Sequence, residues 1–131
     1  MRTERQVDWS PSLPEAAPAM LEFEPRRHDP AGWCLLSFVA AARGVPTRQL
    51  LSPNRGEADL ALARQLAMYL MHVVLGRIYL DVGRFFGRDR TTVSHACALI
   101  EDMRDDAEFD AEVSRLERRL AMRREINHGR A

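Results

Sequence analysis

From position 33 onward, apolar residues recur at helical spacing. Trp33, Leu35, Leu36, Phe38, Val39 and Ala42 predict a first helix, ended by Gly44 and Pro46. Thr47 then reads as the N-cap of one short turn through Leu50 and Leu51, and Ser52-Pro53-Asn54-Arg55-Gly56 reads as a loop. Residues 58–75 lack Pro and Gly, and Leu62, Leu66, Met68, Tyr69, Met71 and Val73 are spread around much of a helix. A helix apolar over so much of its girth belongs at the centre of a core. After Gly76, the positions Ile78, Val82, Phe85 and Phe86 predict a short helix broken by Gly87. Val93, Ala96, Cys97 and Ile100 then follow at i, i+3, i+4 and i+7 on a helix over 89–103, and Phe109, Val113, Leu116 and Leu120 mark a last, Arg-rich helix. No stretch alternates with period two, so the expected fold is all-α, a small bundle of five to six helices.

The first 30 residues follow a different pattern. They hold five of the chain's 7 prolines, and Trp9, Met20, Leu21 and Phe23 keep no period. The expected organisation is therefore a disordered Pro-rich tail over 1–30, a helical domain over 31–124, and a C-terminal tail over 125–131. A second reading of residues 20–23 is a short motif that docks on a protein partner or on the domain itself. A chain of 131 residues supplies one core, not two.

Composition narrows the chemistry. All 19 basic residues are Arg, and the absence of Lys excludes a P-loop nucleotide site and Schiff-base catalysis. Cys34 and Cys97 stand in unrelated patterns and are expected as buried thiols, not as a disulfide or a metal pair. His28, His72, His95 and His128 have no metal-ligand spacing, so neither a metal nor a cofactor is expected. The apolar runs are too short for a membrane span and the first residues have no signal-peptide core, which places the protein in the cytoplasm. The net charge of zero conceals a division: residues 43–100 carry eight Arg against four acids, residues 101–112 one Arg against seven acids. Neutrality argues against a nonspecific coat on nucleic acid but leaves room for a local basic face. The acidic run reads as a solvated turn between helices, or else as a partner-binding element.

Two short helices joined by a tight glycine turn, the second opening on Asp-Arg-Thr-Thr, have the layout of a helix-turn-helix. On a helical wheel Val93, Ala96, Cys97 and Ile100 point inward, Thr91, His95 and Ala98 outward, with Thr92 and Ser94 on the flanks. That outer face is small and polar, and Asp89 is placed to cap the helix. A helical hairpin with a merely solvated outer face would carry the same pattern.

The residues themselves say more. Val82-Gly83-Arg84-Phe85-Phe86-Gly87-Arg88-Asp89-Arg90-Thr91-Thr92-Val93-Ser94-His95-Ala96-Cys97 closely resembles the signature of the DNA-binding domain of the bacterial replication initiator DnaA. Leu50-Leu51-Ser52 and Ala63-Arg64-Gln65-Leu66-Ala67-Met68-Tyr69-Leu70 extend the resemblance, which covers about two thirds of the chain. The initiator's nucleotide-binding motor has no counterpart in these residues, so the resemblance implies a stand-alone DNA-binding domain with double-stranded DNA as its partner. It also implies that Asp89, Arg90, Thr91 and Thr92 face base edges in the major groove. Arg55 would enter the neighbouring minor groove, with a solvated loop arginine as the other reading. Arg64, Gln65 and His95 would meet the phosphate backbone. For Arg88 a phosphate contact and a structural salt bridge stand side by side, and Arg84 either joins the backbone contacts or keeps the short helix soluble.

Three departures from the family pattern matter. Arg90 stands where the family usually has His, and Arg prefers the O6 and N7 of guanine. The turn is one glycine shorter. Ala98, Leu99, Glu101 and Asp102 follow where the family tends to be basic, which lowers the expected affinity and salt slope. The resulting expectation is a non-enzymatic regulator of transcription or replication initiation that binds an initiator-box-like, A·T-rich asymmetric site. The alternative is a helical adaptor that kept the fold, lost DNA binding, and holds a protein through its N-terminal tail or the face of residues 109–124. Oligomeric state stays open between a monomer on an asymmetric site and a dimer through the apolar stripe of the last helix.

Overall fold

A computed structural model describes residues 23–53 and 56–129. Six α-helices and one 3-10 helix order the described residues: α1 Pro25–His28, α2 Pro30–Arg43, the 3-10 helix Thr47–Leu51, α3 Ala58–Val73, α4 Tyr79–Phe86, α5 Arg90–Met103 and α6 Ala107–Gly129. No strand occurs among them, and no helix is long and apolar enough to cross a membrane.

α3 is the central helix, as its broad apolar girth predicts. Ala63, Leu66, Ala67, Leu70 and Met71 are fully buried, and α3 packs against α2, the 3-10 helix, α4 and α5. Leu35, Leu36 and Val39 of α2, Val82 and Phe86 of α4, and Val93, Cys97 and Ile100 of α5 complete one continuous core. Each fully buried Leu, Ile or Val contributes roughly 1.5–3 kcal/mol of transfer free energy, which holds the short helices α4 and α5 in place although neither would persist alone. Phe109, Val113, Leu116 and Leu120 are buried in this same core. The apolar stripe of the last helix is thus covered by its own chain.

Several positions differ from the sequence pattern. Ala40, not Ala42, lies on the buried face of α2, and Val73 and Ile78 are exposed by 43% and 59%. Both sit at helix ends, where the chain leaves the core to turn at Gly76. The 3-10 helix is preceded by Pro46, and Thr47 is its first residue with no side-chain cap at the junction.

Helical structure also extends beyond the bounds that periodicity suggests. Residues 23–30, assigned by pattern to the tail, carry helix α1 and the start of α2, and α6 runs past position 124 to Gly129. At the N-terminal side the reason is tertiary. Asp29 accepts the Gly32 backbone N–H at 3.0 Å, capping α2, and also pairs with Arg77 through both carboxylate oxygens. Phe23 lies edge-on to Phe85 with centroids 6.1 Å apart, under the Arg84 guanidinium. So Phe23, one member of the candidate docking motif, sits on the chain's own helix α4; Met20 and Leu21 lie outside the described residues.

Two acids of the run after Ile100, Asp110 and Glu112, are tied to the fold by arginines, while Glu101, Asp102, Asp105, Asp106 and Glu108 are exposed. Arg104 bonds Asp110, Glu117 at 2.9 Å, the Ser114 hydroxyl at 2.8 Å and the Tyr69 hydroxyl at 3.0 Å. The Glu117 hydrogen bond above all drives its guanidinium further toward the charged form. Arg43 pairs with Glu112 at 2.7 Å.

Candidate nucleic-acid interface

The helix-turn-helix is built from α4, the turn 87–89 and α5. α4 ends on Gly87, whose φ of 69° only glycine adopts without strain, and the Arg88 backbone N–H returns to the Gly83 carbonyl at 2.8 Å. Gly83 must itself be glycine, because a Cβ there would lie 2.4 Å from the Arg88 carbonyl oxygen. The turn therefore brings the start of α5 directly against the middle of α4.

α5 starts at Arg90 with Asp89 as its N-cap. The Asp89 carboxylate accepts the Thr92 N–H at 2.9 Å, and this bond, more than any other influence, holds the carboxyl below its usual range. Val93, Ala96, Cys97 and Ile100 are buried, whereas Arg90, Thr91, Thr92, His95 and Ala98 are exposed and Ser94 is half-buried. The inward and outward faces are those the helical wheel predicts. The exposed N-terminal turn also carries the positive end of the helix dipole. The Thr92 side chain and the Thr91 N–H add to the cap, and a carboxylate with about four lone-pair sites keeps acceptor capacity beyond these bonds.

An open groove of ≈ 370 Å³ runs between α3 and α5. Arg64, Gln65 and Met68 of α3 line it together with Thr92, His95 and Leu99 of α5, and Arg88 lines it as well. Thus Arg64, Gln65, Arg88, Thr92 and His95, which come from two separate sequence segments, meet along one surface. Asp89, Arg90 and Thr91 extend that surface along the first turn of α5. Arg55 lies outside the described residues.

Two of the candidate arginines play a part the sequence did not indicate. Arg64 is only 4% exposed; its Nε donates to the Leu50 carbonyl at 2.8 Å and its Nη2 to the Gln49 carbonyl at 3.1 Å. Burial and the nearby Arg88 charge both push its pKa down. Arg64, expected as an outward side chain, is turned inward as a clamp, because α3 is enclosed where a polar flank was expected. Arg88, half-buried, pairs with no acid among the described residues. Its Nη1 donates to the Phe86 carbonyl at 2.8 Å and its Nη2 to the Ser52 carbonyl at 3.0 Å. Together the two guanidiniums occupy the carbonyls of residues 49, 50 and 52, at the negative end of the 3-10 helix.

Sequence reasoning did not identify Pro53, Ala61, Met68 and Leu99 as groove residues, because apolar side chains at helical spacing read as core. Cys97 is buried beneath the recognition face and Cys34 is half-buried; neither forms a disulfide.

Comparison with known proteins agrees with this geometry. The family model for the bacterial DnaA protein helix-turn-helix matches residues 35–100. The chain is 37% identical over 87 residues to the chromosomal replication initiator protein DnaA of Deinococcus radiodurans, covering 66% of this chain and 18% of that protein. It is 41% identical over 75 residues to the DnaA of Sphingopyxis alaskensis, covering 56% of this chain and 17% of the relative. Against the DnaA of Mesorhizobium japonicum it is 42% identical over 84 residues, or 63% and 17% of the two chains. The chain thus spans less than a fifth of the length of these relatives. The matched segment contains the 3-10 helix, the groove residues and the helix-turn-helix as far as Ile100, and on that match the chain belongs to the bacterial DnaA helix-turn-helix family.

Proposed function

We propose that this protein binds double-stranded DNA sequence-specifically at initiator-box-like sites, A·T-rich and asymmetric, without catalysing a reaction. Occupying such sites would regulate transcription or the initiation of replication, within the cytoplasm where the chromosome lies. The observation that carries the reading is the exposed polar first turn of α5 beside a two-walled groove. An α-helix fits the B-DNA major groove, and the N-terminal residues of a recognition helix reach base edges there.

In this reading Arg90 donates to guanine O6 and N7, the Thr91 and Thr92 methyls meet thymine methyls, and Asp89 accepts from cytosine N4 while capping its helix. Gln65 and His95, on opposite walls of the groove, contact phosphate or sugar, and Arg55 belongs to the loop expected at the adjacent minor groove. Arg64 supports this surface from beneath. That the relatives are chromosomal replication initiator proteins supports a part in replication control.

The adaptor reading draws its support from the acidic run, and the fold weakens that support, since Arg104 and Arg43 hold Asp110 and Glu112 within the domain. A titration at physiological salt separates the two. Box-bearing duplexes should bind roughly 10³-fold more tightly than scrambled duplexes, within the usual range for specific readers. Equal binding to both, or none to either, would overturn the proposal.

A further inference from the structure

We infer that Arg88 is a positioning residue for base readout, not a phosphate contact: it sets the seat of the recognition helix against the opposite wall of the groove. This rests on the DNA-binding reading above and deepens it. The Arg88 fork joins two carbonyls that are 34 positions apart in sequence, Phe86 at the end of α4 and Ser52 at the end of the 3-10 helix. Ser52 leads into Pro53, which lines the groove, while Asp89 and Arg90 directly follow Arg88 on the chain. A rotation of the turn that shifts the first turn of α5 must break one of these two bonds. Arg64 holds the same wall one step earlier, at the carbonyls of Gln49 and Leu50.

The backbone beneath leaves little slack. The Arg88 N–H is tied to Gly83, and no Cβ fits between Gly83 and the Arg88 carbonyl. The planar guanidinium presents its two Nη donors in a fixed fork, which suits two carbonyls at 2.8 and 3.0 Å. A lysine at this position keeps the charge but offers a point donor with no such fork.

That difference supplies the test. The full chain and its Arg88→Lys and Arg88→Ala variants are titrated with box-bearing and scrambled duplexes over a range of salt, with thermal melts alongside. If Arg88 positions the helix, both variants lose about tenfold in box affinity, the size expected for a lost charge-assisted bond. Scrambled affinity and salt slope stay at the wild-type values, and the Lys variant melts near wild type. If Arg88 contacts phosphate, Arg88→Lys binds like wild type, while Arg88→Ala weakens both duplexes alike and its slope falls by about one; that result overturns the inference. A wild-type protein that does not discriminate box from scrambled DNA removes the inference together with the reading beneath it. Discrimination by wild type with unimpaired box binding by both variants overturns the inference alone.

Discussion

Gly83 and Arg88 meet across the helix-turn-helix in a contact that leaves no room for a side chain: the N–H of Arg88 is bonded to the Gly83 carbonyl at 2.8 Å, and a Cβ on Gly83 would stand 2.4 Å from the Arg88 carbonyl oxygen. The clash partner is backbone, which cannot swing aside as a long side chain would. Gly83→Ala is therefore expected to destabilise the fold by about 1–3 kcal/mol, the usual cost of overpacking. Thermal melts check this, and an unchanged melting temperature would contradict it.

Arg64 gives a second test of stability. Replacing it with Met keeps much of its apolar volume but removes the Arg64 donor from the Leu50 carbonyl and one of two donors from the Gln49 carbonyl, which keeps the Ser52 N–H. Leaving a buried acceptor such as Leu50 without that bond costs roughly 1–3 kcal/mol. A urea-denaturation midpoint lower by that amount is expected. A midpoint equal to wild type would show that the clamp adds nothing.

Asp29 sets an acid limit. Burial raises its pKa, but the Arg77 hydrogen bond, the Gly32 N–H and the Arg77 charge together outweigh burial and hold the carboxyl below its ordinary value. A carboxylate depressed in the folded state stabilises above its unfolded pKa, and that contribution is lost as pH falls through the folded value. Stability measured against pH should decline on that acidic limb below the ordinary carboxylate range. Asp29→Asn, which keeps a cap acceptor but loses the ion pair, should flatten the limb and lower neutral-pH stability by about 1–2 kcal/mol.

Cys97 lies under the recognition face with its thiol pushed up to about 11, chiefly by burial and then by the charge of Glu101. The thiolate is the reactive species, so a native sample at pH 8 should resist alkylation at Cys97. Mass spectrometry of the labelled protein checks this, and rapid modification at Cys97 before unfolding would contradict it.

The long apolar helices and the recognition helix were legible in the sequence because their burial follows a single period. Val93, Ala96, Cys97 and Ile100 face the core, and Asp89 caps, as the pattern requires. Helix α1 was not legible, since four residues make one turn and its anchor, the Asp29 pair with Arg77, spans 48 positions. The inward turn of Arg64 was hidden for a related reason. A charged residue on a mostly apolar helix reads as surface, and only the neighbouring 3-10 helix supplies the carbonyls that make its burial tolerable. Arg88 was read as choosing between an acid and a phosphate; backbone carbonyls as partners leave no mark on side-chain pattern.

The central claim is that the exposed first turn of α5 reads bases, and Arg90 tests it most directly. Arg90→Ala and the wild-type chain are titrated with box-bearing and scrambled duplexes at one salt concentration. The account predicts a loss of about 1–3 kcal/mol confined to the box-bearing duplex. An equal small loss on every duplex, or no loss on any, would contradict it.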